Sequence, residues 1–505
     1  MKTRNILFAL GVAGLMGSMQ SCDSFLDTMP DKRTEINTPT KVRDILLSAY
    51  PTLHPTIMFE FMSDNYADNG DMYSSPMNLA IESYMWKDAV ESDWDSPQEV
   101  WDANYRAIAS ANQALSAIEE MGTPAECLPY KGEALLCRAY GHFMLANTFC
   151  MAYNERTAAN ELGIPYITAP EESVGVVYER GTLEDTYRKI NEDIEEALPL
   201  VAGITFNVPM YHFNEKAAYA FAARFNLFYG KDYDKVIAYA TKAIGTDPTS
   251  VLRDLNGYDK FTTTKEWTYG YISADEPANL LLITNRSLYG RVGNQRYGIT
   301  NDIFRSQLAW SYFPGNKQLT VYNTVFHYNY MSYFIPKMTE IFEITNQIAQ
   351  TGQPHVVIPA FTTDETLLCR AEAHVLKQEY EAAATDLSYW YMKKGISACS
   401  AQQIIDFYKA TDSKGNPNAN VKELHTGVTY TEEQTYLIHA VLHARRVEGL
   451  HEGIRWMDIK RYGISYQHNI YNGEPLTLLP DDPRKAIQIP QEVLFAPGDM
   501  TPNPR

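Results

Sequence analysis

The side chains most able to do chemistry in this chain of 505 residues are its acids and its aromatics. The densest charged stretch runs Arg446-Val447-Glu448-Gly449-Leu450-His451-Glu452-Gly453-Ile454-Arg455-Trp456-Met457-Asp458-Ile459-Lys460-Arg461. It could be taken for a catalytic constellation, but Arg446, Glu448, Glu452, Arg455, Asp458 and Arg461 keep mostly helical intervals. That spacing predicts ion pairs within and between elements. The chain has no Gly-x-Ser-x-Gly elbow, phosphate-binding loop, dinucleotide fingerprint or His-Glu-x-x-His, and His451-Glu452 lacks the second histidine. Carboxylates are plentiful, yet no pair is singled out as the acid and base of a glycosidase. The expectation is a protein without catalytic activity. Asp64, Asp68 and Asp71 could ligate calcium with help from carbonyls, but the EF-hand spacing fails. With Gly70 as the turn glycine, Ala67 and Pro76 fall where oxygen ligands are needed. No metal or other cofactor is expected, with calcium the one alternative.

The aromatics are the better lead, because 35 tyrosines are more than a core of this size needs. Many lie where no packing period accounts for them. Residues 64–98 run from the acidic Asp64-Asn65-Tyr66-Ala67-Asp68-Asn69-Gly70-Asp71-Met72-Tyr73 to Tyr84, Trp86 and Trp94, and read as a long surface loop with a partly helical segment. Residues 250–364 hold Trp267, Tyr289, Tyr297, Trp310 and Tyr333 among others. This loop-rich insertion includes the stretch Asn285-Arg286-Ser287-Leu288-Tyr289-Gly290-Arg291-Val292-Gly293-Asn294.

These segments must be held by something regular, and the regular part announces itself by repetition. Glu133-Ala134-Leu135-Leu136-Cys137-Arg138-Ala139 returns as Glu365-Thr366-Leu367-Leu368-Cys369-Arg370-Ala371. Each copy opens an alanine- and leucine-rich helical run, and the second is followed by a turn and another helix in about one tetratricopeptide period. Such hairpins bury their apolar faces only by stacking. Residues 98–150, 182–248 and 364–396 read as repeat hairpins, with Cys137 and Cys369 as buried small hydrophobes. Asp232 to Ile244, then Asp247-Pro248, fits the second helix and closing proline of one unit. Thr431 to Tyr462 reads as one long helix within a C-terminal segment, 431–505.

Residues 1–21 read as a signal peptide: Lys2 and Arg4, then an apolar stretch from Ile6 to Met19. Met19-Gln20-Ser21-Cys22 is the bacterial lipoprotein arrangement, which predicts acylation of Cys22 and a firm lipid anchor. Plain secretion with Cys22 as an incidental residue is the alternative. Cleavage removes two positive charges and no acid, so the formal charge of −19 becomes −21. With no basic patch in evidence, nucleic-acid binding is not expected.

The ordered set of motifs resembles the SusD/RagB-like family of outer-membrane nutrient-binding lipoproteins of Bacteroidetes, over essentially the whole mature chain, 22–505. The set comprises the Ser-Cys-Asp-x-Phe-Leu-Asp start, Trp101…Tyr105…Ile108…Asn112, and Arg370-Ala371-Glu372-Ala373. It continues with Arg446-x-Glu448…Glu452-Gly453-x-Arg455-Trp456-x-Asp458-x-x-Arg461 and Ile487-Gln488-Ile489-Pro490…Asn503-Pro504. Gly449 departs from the pattern, since the family usually has a large apolar residue there. The resemblance implies an all-α fold of about four tetratricopeptide-like hairpins with an irregular, loop-rich half and little strand. It implies capture of a glycan at the cell surface and delivery to a SusC-like TonB-dependent transporter in the outer membrane. The alternatives are a peptide-capturing RagB-like lid or a structural lid without strong binding of its own.

A sugar ring offers an apolar face for an aromatic platform and a rim of hydroxyls for acids, amides and guanidinium groups. Burying roughly 50 Å² per platform contributes about 1 kcal/mol, so two or three platforms with hydrogen bonds give a weak affinity suited to hand-off. Trp101, Tyr105, Tyr219, Tyr239 and Trp456 are assigned to the core. Tyr84, Trp86, Tyr289 and Trp310 are the expected platforms, with Asp71, Met72, Arg291 and Asn294 beside them. Tyr84-x-Trp86 and Asp71-Met72 occupy the places where the resemblance puts ligand contacts. The expected site is thus a shallow surface formed by residues 64–86 and 284–312.

Overall fold

The computed structural model describes residues 35–72, 76–90, 94–171, 173, 176–292, 296–309, 311–319, 326–328, 332–496, 498 and 500–505. The expected signal peptide, 1–21, and Cys22 lie outside them. Among the described residues no helix is long and apolar enough to cross a membrane.

Two short helices, Pro39–Leu46 (α1) and Thr56–Met62 (α2), precede Asn78–Tyr84 (α3). The scaffold then begins with Pro97–Glu120 (α4) and Leu128–Phe149 (α5), followed by Leu183–Ala197 (α6), Glu215–Tyr229 (α7) and Tyr233–Ile244 (α8). Their starts are written locally. Ser96, Thr182, Asn214 and Asp232 each accept a backbone N–H of the first turn, which satisfies a donor that the helix itself cannot. Gly230 ends α7 in the left-handed conformation at φ 68°.

The insertion contributes Thr264–Tyr271 (α9), the single turn Tyr289–Val292 (α10) and Asn301–Gln307 (α11). Its strands are short. Ala67–Asp68 (β1) pairs with Tyr297–Gly298 (β3), Tyr312–Phe313 (β4) with Lys317–Gln318 (β5), and Phe326–Tyr328 (β6) with Ser332–Phe334 (β7). The largest sheet is antiparallel and three-stranded: Asn279–Asn285 (β2), Thr351–Thr362 (β9) and Ile341–Asn346 (β8), in the order β2-β9-β8. Phe361 on β9 packs against Tyr140 of α5 and Phe221 of α7 at ring distances of 5.6 and 5.5 Å. The sheet and the helices therefore share one core.

The scaffold resumes with Thr363–Leu376 (α12), Tyr380–Lys393 (α13), Ala401–Lys409 (α14), Glu432–Glu448 (α15) and Ile454–Arg461 (α16). It closes with the hairpin Tyr466–His468 (β10) and Leu476–Leu478 (β11), then Gln491–Leu494 (α17). The fold is helical with small sheets, as the repeats require.

The repeated phrase encodes a clamp. Arg138 on α5 grips Asp193 on α6 through two hydrogen bonds of 2.8 and 2.6 Å, and Arg370 on α12 grips Asp386 on α13 at 2.9 and 2.7 Å. Both pairs are buried, where a bidentate guanidinium–carboxylate contact also fixes geometry. Cys137 and Cys369 are fully buried beside them. α4 does pack on α5, but the clamp relates α5–α6, joined across residues 150–182, to α12–α13. Arg224 of α7 donates to Glu365 of α12 at 3.1 Å, stitching neighbouring hairpins together.

Two expectations fail here. Thr431 to Tyr462 is two helices, not one. His451 and Gly453 adopt positive φ of 71° and 78°, and the chain turns between Gly449 and Ile454. A Cβ at Gly449 would lie 2.8 Å from Cβ of Ile454, so the missing side chain lets α16 fold back tightly onto the end of α15. Residues 64–98 do hold the expected helical segment, α3, and expose Asp71, Met72, Lys87, Asp88 and Val90, but Asp64, Tyr66, Asp68, Tyr84 and Trp86 are covered rather than at the surface.

The charged stretch behaves as its spacing predicts. Arg455 grips Asp64 at 2.7 Å, and Arg446 reaches the same carboxylate at 3.3 Å. Arg445 meets Asp458, Arg461 meets Glu372, Glu448 meets Lys394, and Glu452 meets Lys337. Burial alone would raise the pKa of Asp64, but Arg446 and Arg455 outweigh it and hold the carboxyl well below the usual range. These pairs are structural.

Candidate functional site

The two segments expected to form the site do meet. β1 pairs with β3 in the register Ala67 to Gly298 and Asp68 to Tyr297. Directly after β1 the chain turns at Gly70, whose φ of 96° favours glycine and whose N–H donates to Asp68 Oδ1 at 3.0 Å. A third segment, the turn between β10 and β11, joins them. Asn469 accepts the Asp68 N–H through Oδ1 at 3.1 Å and returns a bond from Nδ2 to the Asp68 carbonyl at 2.8 Å.

Asp68 is the hub. Its side chain is fully buried and takes Arg296 Nε and Nη2 at 2.7 and 2.8 Å, the Gly70 N–H, and the Tyr471 N–H at 3.0 Å. Burial works to raise its pKa, but the hydrogen bonds from Arg296, Tyr471 and Gly70 prevail, and the carboxyl titrates below its ordinary range. The same bond raises the pKa of Arg296, helped by the field of Asp71.

The hub sets an aromatic on the surface. A Cβ built on Gly70 would lie 3.0 Å from Cδ2 and Cε2 of Tyr471, so that ring rests on the bare backbone of the glycine. Tyr471 stays 44% exposed. Asp71 and Met72 follow Gly70 into solvent, and the Arg296 side chain keeps 26% of its surface exposed. The product is a shallow face with one aromatic ring, a thioether, a guanidinium and a carboxylate.

The expected platforms lie beneath this face. Tyr84 is fully buried, its ring sandwiched between Tyr297 at 4.2 Å and His468 at 4.1 Å, with its hydroxyl within reach of both oxygens of Asn469. Trp86 is 2% exposed, stacks on His468 at 4.4 Å and donates Nε1–H to the Met62 carbonyl at 2.9 Å. The crevice beside it holds about 20 Å³, room for a water and far too little for a sugar. Tyr289 is fully buried in a chain of polar contacts, 2.6 Å from the Tyr66 hydroxyl and 2.5 Å from His451 Nδ1. Burial pushes the His451 pKa far down, so the ring is neutral. It accepts the Ile335 N–H through Nε2 and turns Nδ1–H toward Tyr289. Tyr84, Trp86 and Tyr289 are thus corrected from ligand platforms to core, because both their faces and their polar atoms are already occupied.

Of the remaining expected residues, Asp71 and Met72 are exposed and Arg291 is exposed in a two-bond pair with Glu340 at 2.5 and 3.0 Å. Asn294, Trp310 and Cys22 lie outside the described residues. Trp101 and Trp456 are buried, while Tyr105, Tyr219 and Tyr239 pack against the core. Asp64 and Asp68 both spend their carboxylates on arginines, so the acidic stretch does not offer three free oxygen donors. Among the described residues no three His, Cys, Asp or Glu side chains gather as metal ligands.

Sequence reasoning missed Tyr471, Arg296, Asp68 and Asn469 as a group. Asn472-Gly473 is a turn signal that could have flagged Tyr471 as exposed. Nothing in the sequence links Asp68 to a partner 228 residues away. A separate groove of about 640 Å³ lies along α4, walled by Tyr105, Val176, Val177, Tyr178 and Met500. None of the residues expected to bind lines it.

Comparison with known proteins gives the same picture from two directions. Residues 24–227 match a family described as starch-binding and associating with the outer membrane, and residues 300–488 match the SusD family. A solved structure from Bacteroides vulgatus superposes with a TM-score of 0.67 at 18% identity, covering 93% of this chain and 99% of its own. A SusD superfamily protein of the same species reaches 0.64 at 19% identity, with coverage of 93% and 99%. A laminarin-binding SusD-like protein reaches 0.57 at 16%, with 92% and 99%. No curated protein sequence matches the chain.

Proposed function

The chain belongs to the SusD/RagB-like family, and from that we propose that it is a cell-surface lipoprotein that captures oligosaccharide or polysaccharide and passes it to a SusC-like TonB-dependent transporter. The observation that carries the glycan reading is the Tyr471 ring, laid on Gly70 and held beside Asp71, Met72 and Arg296 by the buried Asp68. A pyranose placed on the exposed ring meets an apolar surface, while Arg296 donates and Asp71 accepts at its hydroxyl rim. The laminarin-binding relative, which shares the fold, supports the same class of ligand. Membrane attachment rests on Cys22 and the lipobox before it.

One exposed platform and two hydrogen-bonding groups give weak affinity, as a carrier that must release its cargo requires. Tyr471→Ala removes roughly 50 Å² of contact, about 1 kcal/mol or fivefold in Kd. Isothermal titration of glycan fragments, paired with a melting curve, tests this. The expected result is weaker binding at an unchanged Tm; full affinity in the variant would place the site elsewhere. Metabolic labelling with a fatty acid tests the anchor, and Cys22→Ala is expected to abolish it.

A further inference from the structure

Resting on the glycan reading of this face, we infer that its cargo is neutral and that the face discriminates against glycans carrying uronate or sulfate. Recognition of an anionic sugar calls for a guanidinium or ammonium with charge to spare. Three described segments build the face: 64–72, 296–300 and 468–475. By sequence Arg296 is their one permanent cation. Its charge is already cancelled by Asp68 through the bonds of 2.7 and 2.8 Å. His468 offers a ligand no donor, since its ring is buried beneath the face and both nitrogens are turned to the Tyr84 and Ser63 carbonyls at 2.8 Å.

The acids are in excess. Asp71 is exposed and close enough to act on Arg296, and Glu474 is exposed in the same turn as Tyr471. Asp64 is neutralised inside by Arg446 and Arg455. The face therefore carries one cation against three acids, Asp68, Asp71 and Glu474, on a chain of formal charge −19. The N–H groups that Arg296 does not spend on Asp68 suit a hydroxyl, whereas a ligand carboxylate would meet two uncompensated acids. Like charges at contact distances repel, and building such repulsion against the wrong ligand is a recognised route to specificity.

The test titrates the mature protein with neutral oligosaccharides (β-glucan, xylan and mannan fragments) and with oligogalacturonate of matched length, at low and high salt. At low salt the best neutral probe is expected to bind at least about fivefold more tightly than the acidic one, and added salt should narrow the gap by screening. Glu474→Lys is expected to strengthen oligogalacturonate binding at low salt and to leave neutral binding unchanged. Oligogalacturonate bound as tightly as every neutral probe, or unaffected by Glu474→Lys, overturns the inference. Tyr471→Ala separates the two levels. Neutral binding that survives it intact removes the site; acidic binding that is lost with it leaves the site standing and removes only the neutral cargo. Binding of no probe removes both.

Discussion

Trp86→Ala is the perturbation that best separates the core assignment from a ligand-platform reading. Trp86 is 2% exposed, stacked on His468, edge-on to Tyr466 at 5.5 Å, and bonded to the Met62 carbonyl. A tryptophan of this kind buries roughly 200 Å², worth about 5 kcal/mol at 25 cal/mol/Å². Alanine retains a little of that, and large-to-small changes of this kind in packed cores cost about 3–5 kcal/mol. The backbone at Trp86 is left-handed, with φ 51°, and alanine inherits that conformation, so no strain is relieved. A loss of about 4 kcal/mol is expected, read as a lower urea midpoint on a chain that starts after Cys22. The affinity of the variant that remains folded should match the parent. A stability loss under about 1 kcal/mol together with tenfold weaker glycan binding would refute the argument and return Trp86 to the ligand.

Three further outcomes follow from the same packing. Arg370→Ala strands the buried Asp386 carboxylate and should cost about 3–5 kcal/mol, while Arg370→Met with Asp386→Leu should recover most of it; urea midpoints decide. Burial pushes the Glu60 carboxyl up to about 7, opposed by the Gly453 N–H and Asn65. Its folded pKa exceeds the ordinary 4.5, so its contribution is full below about pH 4.5 and is lost as pH rises through 7. The fall in Tm between pH 5 and 8 should therefore be shallower in Glu60→Gln. Cys137 and Cys369 should resist a thiol reagent in the native protein while half-buried Cys399 reacts, as mass spectrometry of the labelled chain would show.

What the sequence determined is whatever depends on short spacings. The phrase Glu133–Ala139, with its echo Glu365–Ala371, marked two helices and their buried cysteines, because period and composition are local properties. The alternating charges from Arg446 to Arg461 announced ion pairs for the same reason. The segments that meet at the proposed face were also legible as departures from the repeats, since Asp71, Met72 and the segment around Arg291 and Tyr297 stand outside them.

The tertiary structure decided which side of that neighbourhood faces water. Tyr84, Trp86 and Tyr289 sit among polar neighbours in sequence, as a surface aromatic would, yet His468, Tyr297, Tyr66 and His451 close over them from segments more than a hundred residues away. Tyr471 reads no differently from them in the sequence. It remains exposed because its ring settled on a glycine rather than in a pocket, and because Asp68 could satisfy Arg296 and two backbone donors at once. An aromatic ring gains from burial wherever partners for its faces and polar atoms converge, and only the packed chain brings those partners together.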